Sequence, residues 1–337
     1  MSLFRTELRR LGKRRFTRWT TAAGLLVLLL IVAGLFVSNQ KIGPEQRAEA
    51  RRAADGHYRD QVRWVEQERA DCERAKAAGE QVDYYPVDCA EITPPAREAI
   101  EDQWFLPSTF DFRDGADGMM IPLAGILALI GFVVGASFVG AEWSTGGMMN
   151  LLLWRPRRLT VLLTKLAAVL TGLLALAVPA TALWFGSLWL IATFRGSTER
   201  VTSGVWQSLL LTGVRGMVLA LVAATLGFAL ASLGRRTATA LGGVIAVMVV
   251  GQIGIGILLD AAQVRFAEAW LLPTYAYTWM AKSIKLEDWR SCSASYTGEC
   301  NPTTLELTWQ HSSALFTAAI VLCLGAALWA MRRRDIA

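Results

Sequence analysis

Residues 119–139 read MMIPLAGILALIGFVVGASFV, 21 residues without a charged side chain. An α-helix rises 1.5 Å per residue, so a run of this length matches the roughly 30 Å of hydrocarbon in a bilayer. A helix also satisfies its backbone hydrogen bonds internally, which lipid demands of any crossing segment. The composition agrees: 53% of the 337 residues are hydrophobic and only two are histidine.

Working outward, five more runs share this character. The spans are expected at 20–38, 119–141, 159–194, 204–233, 237–259 and 312–331. The third and fourth outrun one straight crossing but cannot supply two, so each is read as one span with an interfacial extension. Pro179 is expected to kink the third. The first run is too long for a signal peptide, and Ser38, Asn39 and Gln40 offer no small-residue cleavage site, so it is expected to remain as an anchor. The fold class is therefore an all-α polytopic membrane protein with six transmembrane helices.

Six spans put both termini on one side, and lysine and arginine choose which. The terminal side would carry 16 basic residues against three acidic ones, Glu7, Glu142 and Asp335. The other side would carry 17 basic and 25 acidic residues, with Arg215 left inside the fourth span. Both termini are thus expected in the cytoplasm of a prokaryotic cell, with the chain multi-pass in its cell membrane. The net charge of +6 then reflects topology, and no nucleic-acid partner is needed.

Four of the five cysteines fall in segments assigned outside, two per segment. An oxidising compartment favours pairing, and bridges Cys72–Cys89 and Cys292–Cys300 are expected because each closes a short loop. Cys323 lies within the sixth span as a packing residue.

Between spans one and two, residues 39–118 form a mainly helical extracytoplasmic insertion. Alternating charge from Pro44 reads as a solvated helix, broken near Gly56, followed by an irregular aromatic half. It serves either as a disulfide-tied cap or as a surface that receives or releases substrate. In the loop 260–311, AWLLPTYAYTWM (269–280) suits short interfacial helices. Residues 332–337 form a cytoplasmic tail.

No constellation points to catalysis. His57 and His311 are far apart, no HExxH motif or Cys/His cluster occurs, and Gly146 and Gly147 lack the lysine of a phosphate-binding loop. No catalytic or metal site is expected, and the chain binds no cofactor itself. Arg215 and Gln252 are candidates for a translocation path, since polar groups in lipid need a partner or a wet cavity; for Arg215, snorkelling or structural pairing is the competing account. Gly131 and Gly135 form a G-x-x-x-G pair, and Gly251, Gly254 and Gly256 flank Gln252, as close helix packing requires.

The amino-terminal segment 1–19 places Phe4, Leu8, Leu11 and Trp19 on one helical face among arginines, although Arg15 intrudes. That is an interfacial helix lying along the inner leaflet. Between spans two and three, residues 145–154 form a short helix that Thr145 caps and Pro156 closes, with Met148, Leu151 and Leu152 on one face. Such a face suits docking into a partner's groove.

The interfacial helix, the six spans and the loop residues Glu142, Trp143, Ser144, Gly146, Leu153, Trp154, Pro156, Arg158 and Lys165 together resemble the permease subunit of type 2 ABC exporters. The ending MRRRDIA is similar to the tail of these permeases, while the long first loop departs from the compact one of many members. The resemblance implies that 142–158 is a coupling helix loop against a separate ABC ATPase subunit, which binds ATP and magnesium. Glu142, Ser144, Gly146, Gly147, Met148, Leu151, Leu152, Arg155, Pro156 and Arg158 would make that coupling, and Glu142 would pair with a base such as Arg158 or Lys165. A second permease chain, identical or homologous, would complete the path. The alternative is a membrane scaffold or sensor of the same fold, and a more distant one is an intramembrane enzyme.

Overall fold

The computed structural model describes residues 3–78, 85–86, 88–154, 157–289 and 301–333. Its contacts fall into two compact units, Met1–Ala33 with Phe112–Trp189 and Arg200–Ala337, and Gly34–Asp111 with Leu190–Glu199. Among the described residues, six helices are long and apolar enough to cross a membrane: Arg15–Ser38, Phe112–Ser144, Arg158–Arg195, Ser203–Gly234, Thr237–Ala261 and Trp309–Arg333.

The first unit begins with α1 (Leu3–Lys13), which ends before α2 (Arg15–Ser38) starts. The first helix is therefore shorter than the expected 1–19, and Trp19, largely exposed, belongs to the long helix that follows. Leu11 is buried and Leu8 half-buried, so the apolar face of α1 packs against protein.

At the centre of this unit lies α5 (Met120–Ser144), packed on α8 (Ser203–Gly234) along a seam of small residues. A methyl group on Gly135 would sit 2.4 Å from the Ala224 carbonyl oxygen, and one on Gly227 would sit 2.3 Å from that of Phe132. The two backbones touch, the arrangement lipid-embedded helices favour because burial of apolar area drives nothing between them. Gly131 joins the same seam, 2.7 Å from the Ala220 oxygen by the same measure.

Helix α7 (Arg158–Arg195) runs through Pro179 as one helix, continuing from the first unit into the second. The fifth span is interrupted: α9 (Thr237–Ala246) and α10 (Ile255–Ala261) flank a π-helical segment, Val247–Gly254, that contains Gln252. Its apolar residues are largely exposed, which lipid tolerates.

The loop after the fifth span carries a 3-10 turn (Ala267–Trp270) and a short helix, α11 (Leu272–Ala281). It also holds an antiparallel hairpin, β3 (Ser283–Asp288) with β4 (Thr303–Thr308), which the aromatic reading of the loop had not included. Two-residue alternation is present, with Ile284 and Leu286 answering Leu307 and Leu305. Cys292 and Cys300 lie between these strands, outside the described residues. Helix α12 (Trp309–Arg333) completes the spans and packs against α8 and α11.

The second unit is built on α3 (Pro44–Ala77), with Pro44 in the first turn as expected. It is not broken at Gly56. The roughly 1 kcal/mol a helical glycine costs relative to alanine is offset by neighbours: Ala50, Ala54 and Val65 are buried, and Arg63–Asp60, Arg69–Glu73 and Arg74–Asp71 pair along the surface. The Cys72–Cys89 disulfide closes a loop of sequence separation 17. Arg97 reaches Asp55 at 2.7 Å and Asp102 at 2.9 Å, and its pKa is raised by the hydrogen bond to Asp102 first and to Asp55 second. A two-residue parallel pairing joins β1 (Phe110–Asp111) to β2 (Gly196–Ser197), where Gly196 has no room for a methyl group 1.8 Å from the Phe110 oxygen. A short turn of helix, α4 (Phe112–Gly115), belongs to the first unit and leads into α5.

Candidate functional site

The connection from α5 to α7 is built from strong local signals. At the end of α5 the Ser144 and Thr145 hydroxyls both donate to the Ala141 carbonyl, at 3.0 and 2.9 Å. Thr145 thus terminates α5 rather than starting the next helix, a correction to its expected capping role: its hydroxyl is already engaged by the preceding turn. Gly146 reverses the chain with φ +74°, a left-handed conformation that favours glycine. From there α6 (Gly147–Trp154) forms a short helix, with Met148 fully buried and Leu151 half-buried. Arg158 begins α7; Arg155 and Pro156 lie outside the described residues, as does the side chain of Leu152.

Beneath this loop sits a buried cluster of charge. Lys165, on the second turn of α7, has no exposed surface, and its Nζ lies 2.6 Å from Glu142 Oε2 and 2.9 Å from Glu7 Oε2. Glu7 projects from α1 and is also buried. Arg10 stands 3.7 Å from Glu7 and 3.9 Å from Glu142. Two carboxylates thus meet two cations. Close but poorly aligned for hydrogen bonding, the lysine contacts act as charge pairs. The Phe138 ring supplies a floor, with Lys165 Nζ 5.3 Å and Arg14 Cζ 5.6 Å from its centroid.

The arrangement joins three elements that sequence order separates: α1, the end of α5 and the start of α7. Of the bases expected to pair with Glu142, Lys165 does so. Glu7 was missed as a site residue. Its signal was available, since it is the one acid among seven bases in residues 1–19. Neighbouring contacts extend the cluster: Arg235 lies over the Trp143 ring at 5.1 Å, and a methyl group on Gly140 would meet Thr237 N at 2.5 Å. The base of the fifth span is thereby set against the end of α5.

The two candidates for a translocation path are both tied to α11. Arg215 donates from Nη1 to the Trp279 carbonyl at 3.4 Å, and Trp279 Nε1 donates to the Arg215 carbonyl at 2.9 Å. Gln252 Oε1 accepts the Leu272 backbone N–H at 2.6 Å, supplying an orphan donor at the first turn of α11 with a partner. Structural pairing accounts for both contacts. Among the described residues no group of His, Cys, Asp or Glu could hold a metal ion.

Among the described residues, six helices apolar enough to span a membrane, with a cluster of ion pairs at the loop between the second and third, define a polytopic all-α membrane protein. The chain belongs to the ABC-2 family of transporter proteins, whose model matches residues 1–335. No curated protein matches it. Membership makes the chain a transmembrane permease of an ABC transporter, and implies partnership with an ABC ATPase and a membrane environment.

Proposed function

We propose that this chain is the permease subunit of an exporter in a prokaryotic cell membrane, with both termini cytoplasmic, and that the loop 142–158 receives the motion of a separate ATP-hydrolysing subunit. This chain hydrolyses no nucleotide; ATP and magnesium belong to the partner. A second permease chain, identical or homologous, completes the path. The observation that carries the reading is the Glu7–Lys165–Glu142 cluster, which ties α1 to the two helices that flank the loop. A loop that only connects two spans has no need of buried charge. A loop that transmits force does need its base fixed, because a pair held in low dielectric tolerates little change of geometry. Displacement of α6 by the partner would then move α5, α7 and α1 together.

The test is reconstitution with the ATPase in vesicles. Charge reversal at Glu142 would set a cation against Lys165, so Glu142→Gln is the better probe, alongside Leu151→Pro in α6. Both should retain normal abundance and partner binding yet lose most transport-coupled ATP hydrolysis. Unchanged coupling in both variants refutes the assignment, and an ATPase whose rate never responds to this chain favours the scaffold or sensor reading.

A further inference from the structure

On α1, Thr6, Arg9, Arg10 and Lys13 recur at three- and four-residue spacing and so share a face. Together with Arg14, that face walls a cleft of about 580 Å³ whose opposite wall is the end of α5, including Phe138, Glu142 and Thr145. Four cations therefore confront one carboxylate. That carboxylate is already engaged by Lys165 at 2.6 Å and Arg10 at 3.9 Å, so it leaves most of the positive charge uncompensated. Arg9 and Lys13 are exposed and pair with no protein group among the described residues.

Arg14 differs from the others. It is half-buried, donates from Nη1 to the Ser137 carbonyl at 3.0 Å, and lies over the Phe138 ring. Burial lowers its pKa from the ordinary value, while the charge of Glu142 raises it. Two contacts thus fix a guanidinium at the cleft wall, where its remaining N–H groups suit a bidentate oxyanion.

Depth selects the anion. The cleft opens beside the junction where α1 meets α2, a spanning helix that starts at Arg15, so it lies at headgroup level. We propose that this cleft binds the phosphate ester of an anionic phospholipid in the leaflet that α1 faces. Such a lipid holds α1 from one side while Lys165 holds it from the other.

The test uses the full-length chain in non-ionic detergent, titrated with phosphatidylglycerol, phosphatidylcholine or inorganic phosphate and observed by native mass spectrometry. One phosphatidylglycerol per chain should be retained, in preference to phosphatidylcholine. Arg9→Gln with Lys13→Gln should weaken it about thirtyfold, the effect of two bases beside an anionic headgroup. Arg5→Gln with Arg15→Gln removes the same charge outside the cleft and should cost less than about threefold by screened attraction alone. Equal weakening by the two pairs, or equal retention of phosphatidylcholine, overturns the site. Displacement of the lipid by millimolar inorganic phosphate assigns the cleft to a soluble phosphate instead and overturns the lipid source.

Discussion

The carboxylate of Glu7 lies 2.9 Å from the ammonium of Lys165, and neither side chain exposes more than 1% of its surface. An amphipathic helix at a membrane surface ordinarily holds its position by area and headgroup charge, both of which let it slide. This ion pair adds a fixed point. It keys α1 to the third span and, through Glu142, to the loop that precedes it.

Removing the cation from this cluster should be far worse than removing all of it. Lys165→Met leaves the buried carboxylate of Glu7 and the part-buried one of Glu142 facing each other with only the exposed Arg10 nearby, a loss of about 3 kcal/mol. The triple variant Glu7→Gln, Glu142→Gln, Lys165→Met has no charge to bury and should recover most of that stability while transport stays lost. Thermal unfolding of the purified chain separates the two outcomes. A triple variant as unstable as Lys165→Met would show that the cluster matters for its packing volume rather than its charge.

The seam between α5 and α8 predicts position-specific glycine costs. Gly135→Ala and Gly227→Ala force a methyl group against backbone carbonyls that cannot rotate away, so each should cost about 1–3 kcal/mol. Gly125, on the same helix with nothing within 4 Å of its added methyl, should accept alanine at no cost. Abundance in the membrane and melting temperature measure both. Equal tolerance at Gly125 and Gly135 would contradict backbone contact.

Much of this was legible without coordinates, for reasons that particular residues make plain. The spans announce themselves because lipid allows one solution, a long apolar helix, and residues 119–139 have no other use. The partnership of Glu142 with a base could be placed because the loop is short, whereas the turn at Gly146 could not, since Thr145 offers itself equally as the cap of the next helix. Glu7 was not placed, since its partner lies in a span that sequence distance says nothing about. The same limit applies to Gln252, whose acceptor role depends on where α11 begins. The hairpin of Ser283–Asp288 and Thr303–Thr308 was overlooked for a different reason: the aromatic stretch before it dominated the reading, although alternating Ile284, Leu286, Leu305 and Leu307 were available. The unbroken α3 shows tertiary contact overruling a local preference at Gly56.

Reduction of the Cys72–Cys89 bridge should loosen the second unit. A loop of sequence separation 17 implies about 3 kcal/mol from restriction of the unfolded chain. Cys72→Ser with Cys89→Ser should raise the rate of proteolytic cleavage within residues 44–111 roughly a hundredfold where opening is rapid. Cleavage unchanged by the substitution or by reductant would show that the ion pairs of α3 and Arg97 suffice.

Gly146 offers the cleanest separation of stability from coupling. Its φ of +74° is the only feature a side chain would offend, because a methyl group there meets nothing within 4 Å. Alanine should cost about 1–2 kcal/mol locally, and asparagine, which tolerates the left-handed region, less. A β-branched valine should cost most. If α6 transmits the partner's motion, coupled ATP hydrolysis should fall in the order glycine, asparagine, alanine, valine, because each step shifts the angle at which α6 leaves α5. Melting temperature should move far less, since the loop contributes one residue's strain to a fold held elsewhere. A series in which coupling and melting fall in proportion would place Gly146 in folding alone, and a flat series in both would remove this turn from the path of force.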